Sequence, residues 1–177
     1  MVMMPFKVGF VGGAPGSAVG YAHYVALHMD GLWRLEAGCF SDDRKTNRSA
    51  AERYGVSESR NYRDIDELLR CEQDRLDAII ILTPTPLHAS MAEKCLARGM
   101  PVICEKALAS SVEDAQAITG LWRKENGFLA VVYNYSGYPM VRELRRIVRD
   151  GELGCLCHIE AEMPQEGFLR TDREGNP

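Results

Sequence analysis

Short apolar runs at residues 6–11, 35–40, 78–82, 102–105 and 128–133 alternate with stretches of roughly ten or more residues that carry helical spacing. Runs of that length suit strands covered on both faces, and the connections are long enough for helical crossovers. "AIIIL" at 78–82 is the barest example, with no polar residue to give it a wet face. The pattern predicts βαβ units in a doubly wound parallel sheet of Rossmann type, an α/β fold. A weaker run at residues 60–62 is read as a sixth, short strand.

The connections carry their own signals. Leu87, Met91 and Cys95 recur at helical spacing beside Ala92 and Leu96, and "RGMP" ends that helix with Gly99 and Pro101. Ser110 and Glu113 have capping-box spacing at the head of the next helix, which runs through Trp122 before Asn126-Gly127 turns the chain into the last strand. Past Tyr133 the organisation changes. Met140, Val141, Leu144, Ile147 and Val148 form one apolar helical stripe that stops at "DGELG". "CLCHIEAEM" at 155–163 then reads as one strand, which has no independent core of its own, and the polar run "LRTDREGNP" follows. The simplest division is a complete first domain over residues 1–135 and the beginning of an α/β second domain over 136–177, so the chain reads as a fragment.

A chain of 177 residues that is 46% apolar buries one good core and part of a second. The net charge of −4, with both signs interspersed, gives no nucleic-acid footprint. The opening "MVMMPFK" lacks the apolar segment of a signal peptide, and "AIIIL" is far too short to span a bilayer. Six cysteines at irregular spacing suggest reduced thiols rather than a disulfide framework. A cytoplasmic protein without nucleic-acid or membrane partners is expected.

"VGGAPGSAVGYAH" at 11–23 lies between the first strand and a helix containing Val25, Ala26 and Met29, where a phosphate loop belongs. Counted as a dinucleotide fingerprint it fails, because Ala14 stands in the second slot when counting starts at Gly12. Its glycines still suit close approach of backbone N–H groups to a pyrophosphate, with Pro15 stiffening the inserted turn and the positive end of a helix starting near Val19 or Gly20 facing the anion. A ligand-free strand-to-helix connection fits the same residues.

The residues downstream narrow the choice. "DAIIILTPTPLHASMAEKCLARGMPVICEKALA" at 77–109, together with Gly20-x-x-His23, Thr83-Pro84, His88, Glu105-Lys106 and the "NYSGYP" after the last strand, resembles the glucose-fructose oxidoreductase, inositol dehydrogenase and rhizopine catabolism family, Gfo/Idh/MocA. The resemblance runs over nearly the whole chain. It departs at Thr85, where the family often has Asn, at Ala107, where it often has Pro, and in the longer glycine loop, whose "GGxPG" insertion a variant of the family carries. It implies an NAD(P)-dependent oxidoreductase acting on a CH–OH group of a sugar, cyclitol or related polyol, a homo-oligomer assembled through its second domain.

By that resemblance, Gly12, Gly13, Ala14, Pro15, Gly16, Ser17, Val19 and Gly20 cradle the pyrophosphate. Thr83, Pro84 and His88 line the nicotinamide-ribose side, with Glu105 beside them. Lys106 bonds the substrate hydroxyl with Glu105 orienting it, and Asn134 with Tyr135 closes the pocket. Locally, His88 also reads as a first-turn helix residue covering Thr85 and Pro86, and His23 as packing behind the glycine loop. In "CFSDDRKTNR", Asp42 or Asp43 suits a ribose 2′-hydroxyl and NAD, whereas Ser41 with Arg44, Lys45 and Arg48 suits the 2′-phosphate of NADP. The balance leans to NAD.

Other features are set aside. Arg142, Arg145, Arg146 and Arg149 stand opposite the apolar stripe as a solvated face. On a strand, Cys155 and Cys157 point to one face and His158 to the other, so no metal is expected. The family's proton-transfer histidine lies in an Asp-x-x-x-His segment, and none of the four histidines here has Asp four residues before it. The 177-residue chain is therefore expected to bind cofactor without turnover. A nonenzymatic NAD(P)-binding sensor and a cofactor-free structural module are the alternatives.

Overall fold

The computed structural model describes residues 4–17 and 19–164. In chain order the elements are β1 (Phe6–Gly12), α1 (Gly20–His28), β2 (Trp33–Cys39), α2 (Arg44–Tyr54), α3 (Ile65–Glu72), β3 (Ala78–Leu82), α4 (His88–Leu96), β4 (Val102–Glu105), α5 (Val112–Lys124), β5 (Leu129–Val132) and α6 (Pro139–Arg149). The strands form one sheet in the order β2-β1-β3-β4-β5, and every pairing is parallel. Among the described residues no helix is long and apolar enough to cross a membrane.

The "AIIIL" run explains the layering. Ile79 and Ile81 enter a core on one face with Leu68 and Leu69 of α3, Ala92, Cys95 and Leu96 of α4, and Ile118 of α5. Ala78, Ile80 and Leu82 enter a second core on the other face with Leu27 of α1 and Ala50, Ala51 and Tyr54 of α2. Both faces are dry, so alternation is lost and the strand is apolar throughout. Each buried isoleucine contributes about 1.5–3 kcal/mol. The chain leaves β1 for α1 on one face and β3 for α4 on the other. A crevice opens where such connections diverge, at the carboxyl ends of β1 and β3.

The run at 60–62 does not become a sixth strand. It makes a single parallel bridge, Gly38 to Asn61, with the Tyr62 N–H donating to the Gly38 carbonyl at 2.8 Å. The cause is a buried ionic knot. Arg60, at the end of a 3₁₀ turn over Glu58–Arg60, donates from Nε and Nη2 to the two oxygens of Glu72 at 2.8 and 2.6 Å, and its Nη1 reaches Glu36. The Tyr62 hydroxyl donates to Glu72 Oε1 at 2.7 Å. These bonds hold the segment between Glu36 of β2 and Glu72 of α3 through side chains, in place of a backbone ladder along the edge of β2. Burial, and then the Glu72 bond, push the Tyr62 hydroxyl up to about 12.

Two smaller expectations are also corrected. The cap of α5 is Ser111, whose Oγ accepts from the Asp114 N–H at 3.1 Å, one residue beyond the predicted Ser110. Residues 155–163 form no strand, since among the described residues none offers them a ladder partner. The run 169–177 lies outside the described residues.

The chain divides into two compact units, Met1–Tyr133 and Asn134–Pro177. In the second, a 3₁₀ turn at Asn134–Gly137 leads into α6. The apolar stripe of α6 is exposed, with Met140 and Leu144 at 76% and 55%. On its polar side Arg146 bonds Glu143, Asp150 and Glu152, which raises its pKa.

Candidate functional site

The glycine loop recovers in space the fingerprint it lacks along the chain. Gly12 ends β1 and Gly13 follows it, with φ of 79° and 75°, a conformation in which a side chain is strained. Gly20 opens α1 flat against the Gly13 backbone, and a Cβ there would lie 2.0 Å from the Gly13 carbonyl oxygen. Tight turn and close helix approach are the tasks of the first and last glycines of a dinucleotide loop. The residues between are an excursion with pinned ends. Ala14 and Val19 pack against the core that holds Phe10 and Leu82. The Ser17 N–H donates to the Ala14 carbonyl at 2.7 Å, and Ser17 Oγ accepts from the Gly20 N–H at 2.9 Å. Pro15 and Gly16 form the outer turn, Gly16 exposed. From α2 the Tyr54 hydroxyl donates to the Gly13 carbonyl at 2.8 Å, fixing the loop from below.

A cleft of about 570 Å³ opens above this loop. Its walls include Gly12, Gly13, Ala14 and Ser17 from the loop, Ser41 and Asp42 beyond β2, and Thr83 and Pro84 beyond β3. Cys39 also reaches it, and burial pushes that thiol up to about 12, so the cleft holds no thiolate at neutral pH. Arg63, Asp66 and Lys94, which the sequence did not single out, also line the wall, with Met91 of α4 beside them. Lys94 Nζ donates to Asp66 Oδ2 at 2.6 Å, tying α4 to α3 at the rim.

The two aspartates after β2 separate into different tasks. Asp43 caps α2, its Oδ1 accepting from the Thr46 N–H at 2.8 Å and from the Thr46 hydroxyl at 2.6 Å, and these bonds lower its pKa. It is corrected from a ribose candidate to a helix cap. Asp42 is exposed on the cleft wall. Arg44, Lys45 and Arg48 line an adjoining groove of about 770 Å³ that shares Ser41 and Asp42 with the cleft. Arg48 is engaged with Glu52 and Glu58 at 3.6 and 3.3 Å. Beneath them Asn47 is buried, accepting from the Phe40 N–H at 2.7 Å and donating to the Tyr62 carbonyl at 2.9 Å. A polar residue on the buried side of a helix was the only signal for Asn47 in the sequence.

At the end of β4 the Glu105 carboxylate turns inward. Its Oε1 accepts from His23 Nε2 of α1 at 2.8 Å, and its Oε2 accepts from the Lys106 N–H at 3.2 Å. Glu105 thus meets Lys106 at its backbone N–H rather than at its ammonium. Lys106 is exposed, and its ammonium has no carboxylate partner among the described residues. The Lys106–Ala107 peptide is cis. His88 is 1% exposed and stands outside the cleft wall, its Nδ1 2.6 Å from the Ala107 carbonyl and its Nε2 2.7 Å from the Thr83 carbonyl. A neutral ring donates to one of these carbonyls at a time, whereas the doubly protonated ring donates to both. His88 thus sits between the carbonyls that follow β3 and β4, buried behind the cleft rather than lining it. Asn134 begins the second unit, in its 3₁₀ turn. Among the described residues no group of three or more His, Cys, Asp or Glu could hold a metal ion.

Comparison with known proteins adds to this geometry. Residues 6–133 match the model of an oxidoreductase family with an NAD-binding Rossmann fold. The chain is 29% identical over 176 residues to the uncharacterized oxidoreductase YfiI of Bacillus subtilis (strain 168), covering 97% of this chain and 44% of that protein. It is 30% identical over 145 residues to D-apiose dehydrogenase of Paraburkholderia graminis, covering 78% and 37%. An inositol dehydrogenase homolog from Azotobacter vinelandii, crystallised with NADH and myo-inositol, matches with a TM-score of 0.80 at 31% identity, covering 85% of this chain and 41% of that one. The chain spans less than half the length of each of these relatives.

Proposed function

Because the chain belongs to the Gfo/Idh/MocA oxidoreductase family, whose NAD-binding Rossmann region spans its residues 6–133, we propose that the cleft at the carboxyl ends of β1 and β3 holds a nicotinamide dinucleotide. The observation that carries this reading is the approach of Gly20 to Gly13, where even a methyl group has no room. That packing aims the start of α1 at the loop and leaves its positive end for a pyrophosphate. Gly12, Gly13, Ala14 and Ser17 cradle the phosphates, Ser41 and Asp42 receive the adenosine ribose, and Thr83 and Pro84 border the nicotinamide half.

When bound, the nicotinamide supplies the hydride acceptor for oxidation of a secondary alcohol on a sugar, cyclitol or related polyol in the whole protein. Lys106 Nζ donates to the substrate oxygen and stabilises the negative charge that develops there as the hydroxyl proton passes to a general base of the whole protein and the carbon-bound hydride to the nicotinamide. Two observations support this role: Lys106 lacks a carboxylate partner among the described residues, and Glu105 is already held by His23. The family relatives named for inositol and D-apiose support the substrate class. We take NAD as the cofactor, with exposed Asp42 accepting from the ribose hydroxyls. NADP is the second reading, favoured by Arg44 and Lys45 at the groove beside Ser41. We place the protein in the cytoplasm, in keeping with its six free cysteines. The second domain beginning at 136 carries assembly into a homo-oligomer, in keeping with the bare apolar stripe of α6.

The test uses the whole protein and its Lys106→Met variant on a panel of sugars and cyclitols, following reduced nicotinamide by absorbance. The wild type is expected to reduce NAD with at least one of them. The variant is expected to lose about 100-fold or more in kcat with cofactor affinity unchanged. Unaltered kcat overturns the role of Lys106, and no reduction with any alcohol overturns the substrate class.

A further inference from the structure

His23 lies in the first turn of α1, three residues after Gly20, and Glu105 lies at the end of β4, two strands away from β1 in the sheet. The pair is largely enclosed, with side chains 16% and 11% exposed. One carboxylate oxygen faces His23 and the other faces the Lys106 N–H, so Glu105 bridges the glycine-loop helix and the lysine backbone through two bonds. On the far side of Lys106 the Ala107 carbonyl lies 2.6 Å from His88 Nδ1, at the head of α4.

We infer that His23 is a positioning residue for Lys106, relaying through Glu105 the seating of a pyrophosphate at the glycine loop to the lysine backbone. The inference rests on the reading of the loop as a dinucleotide site. Gly20 abuts Gly13 without an intervening side chain, so an anion drawn to the start of α1 pulls on a helix that has no slack against the loop. His23 is on that same turn, and a charge-assisted bond to a mostly enclosed carboxylate transmits a shift of the helix rather than absorbing it. The coupling is reciprocal, so the position of Glu105 also biases how the loop accepts its anion.

ADP is the probe, since it carries the pyrophosphate and lacks the nicotinamide half. Amide resonances of the 177-residue chain are followed by NMR as ADP is added to wild type, His23→Phe, His23→Gln and Glu105→Gln. In wild type, ADP is expected to shift the Lys106 amide. In His23→Phe, ADP still binds within about threefold of wild type, while the Lys106 shift falls to about a third or less. His23→Gln, which keeps a donor toward Glu105, restores more than half of the shift, whereas a purely structural role for His23 predicts no such rescue. If His23→Phe loses its dispersed spectrum, Glu105→Gln decides, and it too is expected to lose the Lys106 response. An undiminished Lys106 shift in the variant that decides overturns the relay and leaves the dinucleotide site standing. Failure of ADP to bind the wild type overturns the dinucleotide site and the relay with it.

Discussion

Arg44 and Lys45 occupy the first two positions of α2, where the positive end of the helix dipole disfavours a cation. Neither has an ion-pair partner among the described residues, and both face the groove that shares Ser41 and Asp42 with the cleft. A 2′-phosphate on the adenosine ribose would offset that repulsion, whereas a bare hydroxyl would not. Arg44→Ala is expected to weaken NADP about tenfold and leave NAD within about twofold in calorimetric titration. Equal losses, or none, remove Arg44 from the recognition set. The Glu72 knot predicts a pH dependence. Burial disfavours the charged carboxylate, but the bonds from Arg60 and Tyr62 more than reverse this and lower its pKa from 4.5. A depressed native pKa stabilises the fold above the unfolded value, and that contribution is lost as pH falls through the native value. Urea unfolding from about pH 7 to about pH 3 is expected to show stability falling more steeply below about pH 4.5 in wild type than in Glu72→Gln. Parallel curves contradict the assignment. The basic cluster after β2 was legible in the sequence, but the Glu72 knot and the division of labour between Asp42 and Asp43 were not. Glu72 ends a helix like any solvated glutamate, and nothing in "SDDRK" shows that Asp43 is spent on Thr46 while Asp42 is left exposed.

The elements follow from the sequence where burial is two-sided. "AIIIL" admits no other placement than a central strand, and β3 lies at the middle of the sheet. Residues 60–62 show the opposite case. Arg60 and Tyr62 have the alternation of an edge strand, but the ionic partners Glu36 and Glu72 are brought from elsewhere in the chain, and short-range pattern carries no trace of them. The glycine loop failed as a count because the insertion from Ala14 to Val19 separates two glycine tasks that touch in space. The segment 155–163 has strand composition but no ladder among the described residues. Hydrogen exchange is expected to be slow at the core strands β1 and β3 and close to unprotected rates from Cys155 to Met163. Protection there that rises with protein concentration would instead mark pairing with a second copy through an open edge.

At the scale of the molecule, the first compact unit holds everything the dinucleotide reading needs: the loop, the end of β2, and the ends of β3 and β4. Family membership was legible because Thr83-Pro84, His88 and Glu105-Lys106 punctuate strand ends at a recognisable spacing. The tasks of His23 and His88 were not, since each depends on a carbonyl or carboxylate brought in by another strand. The account predicts that the 177-residue chain binds the cofactor and does not oxidise polyols, because its histidines lack the Asp-x-x-x-His setting. The most direct measurement is a fluorescence titration of NADH and NADPH into the purified chain and its Gly20→Ala variant, with circular dichroism to confirm that both are folded. Saturable binding of at least one reduced cofactor by wild type is predicted, weakened about tenfold or more in Gly20→Ala, whose methyl group must push α1 away from Gly13. No saturable binding of either cofactor by the folded wild-type chain would contradict the account.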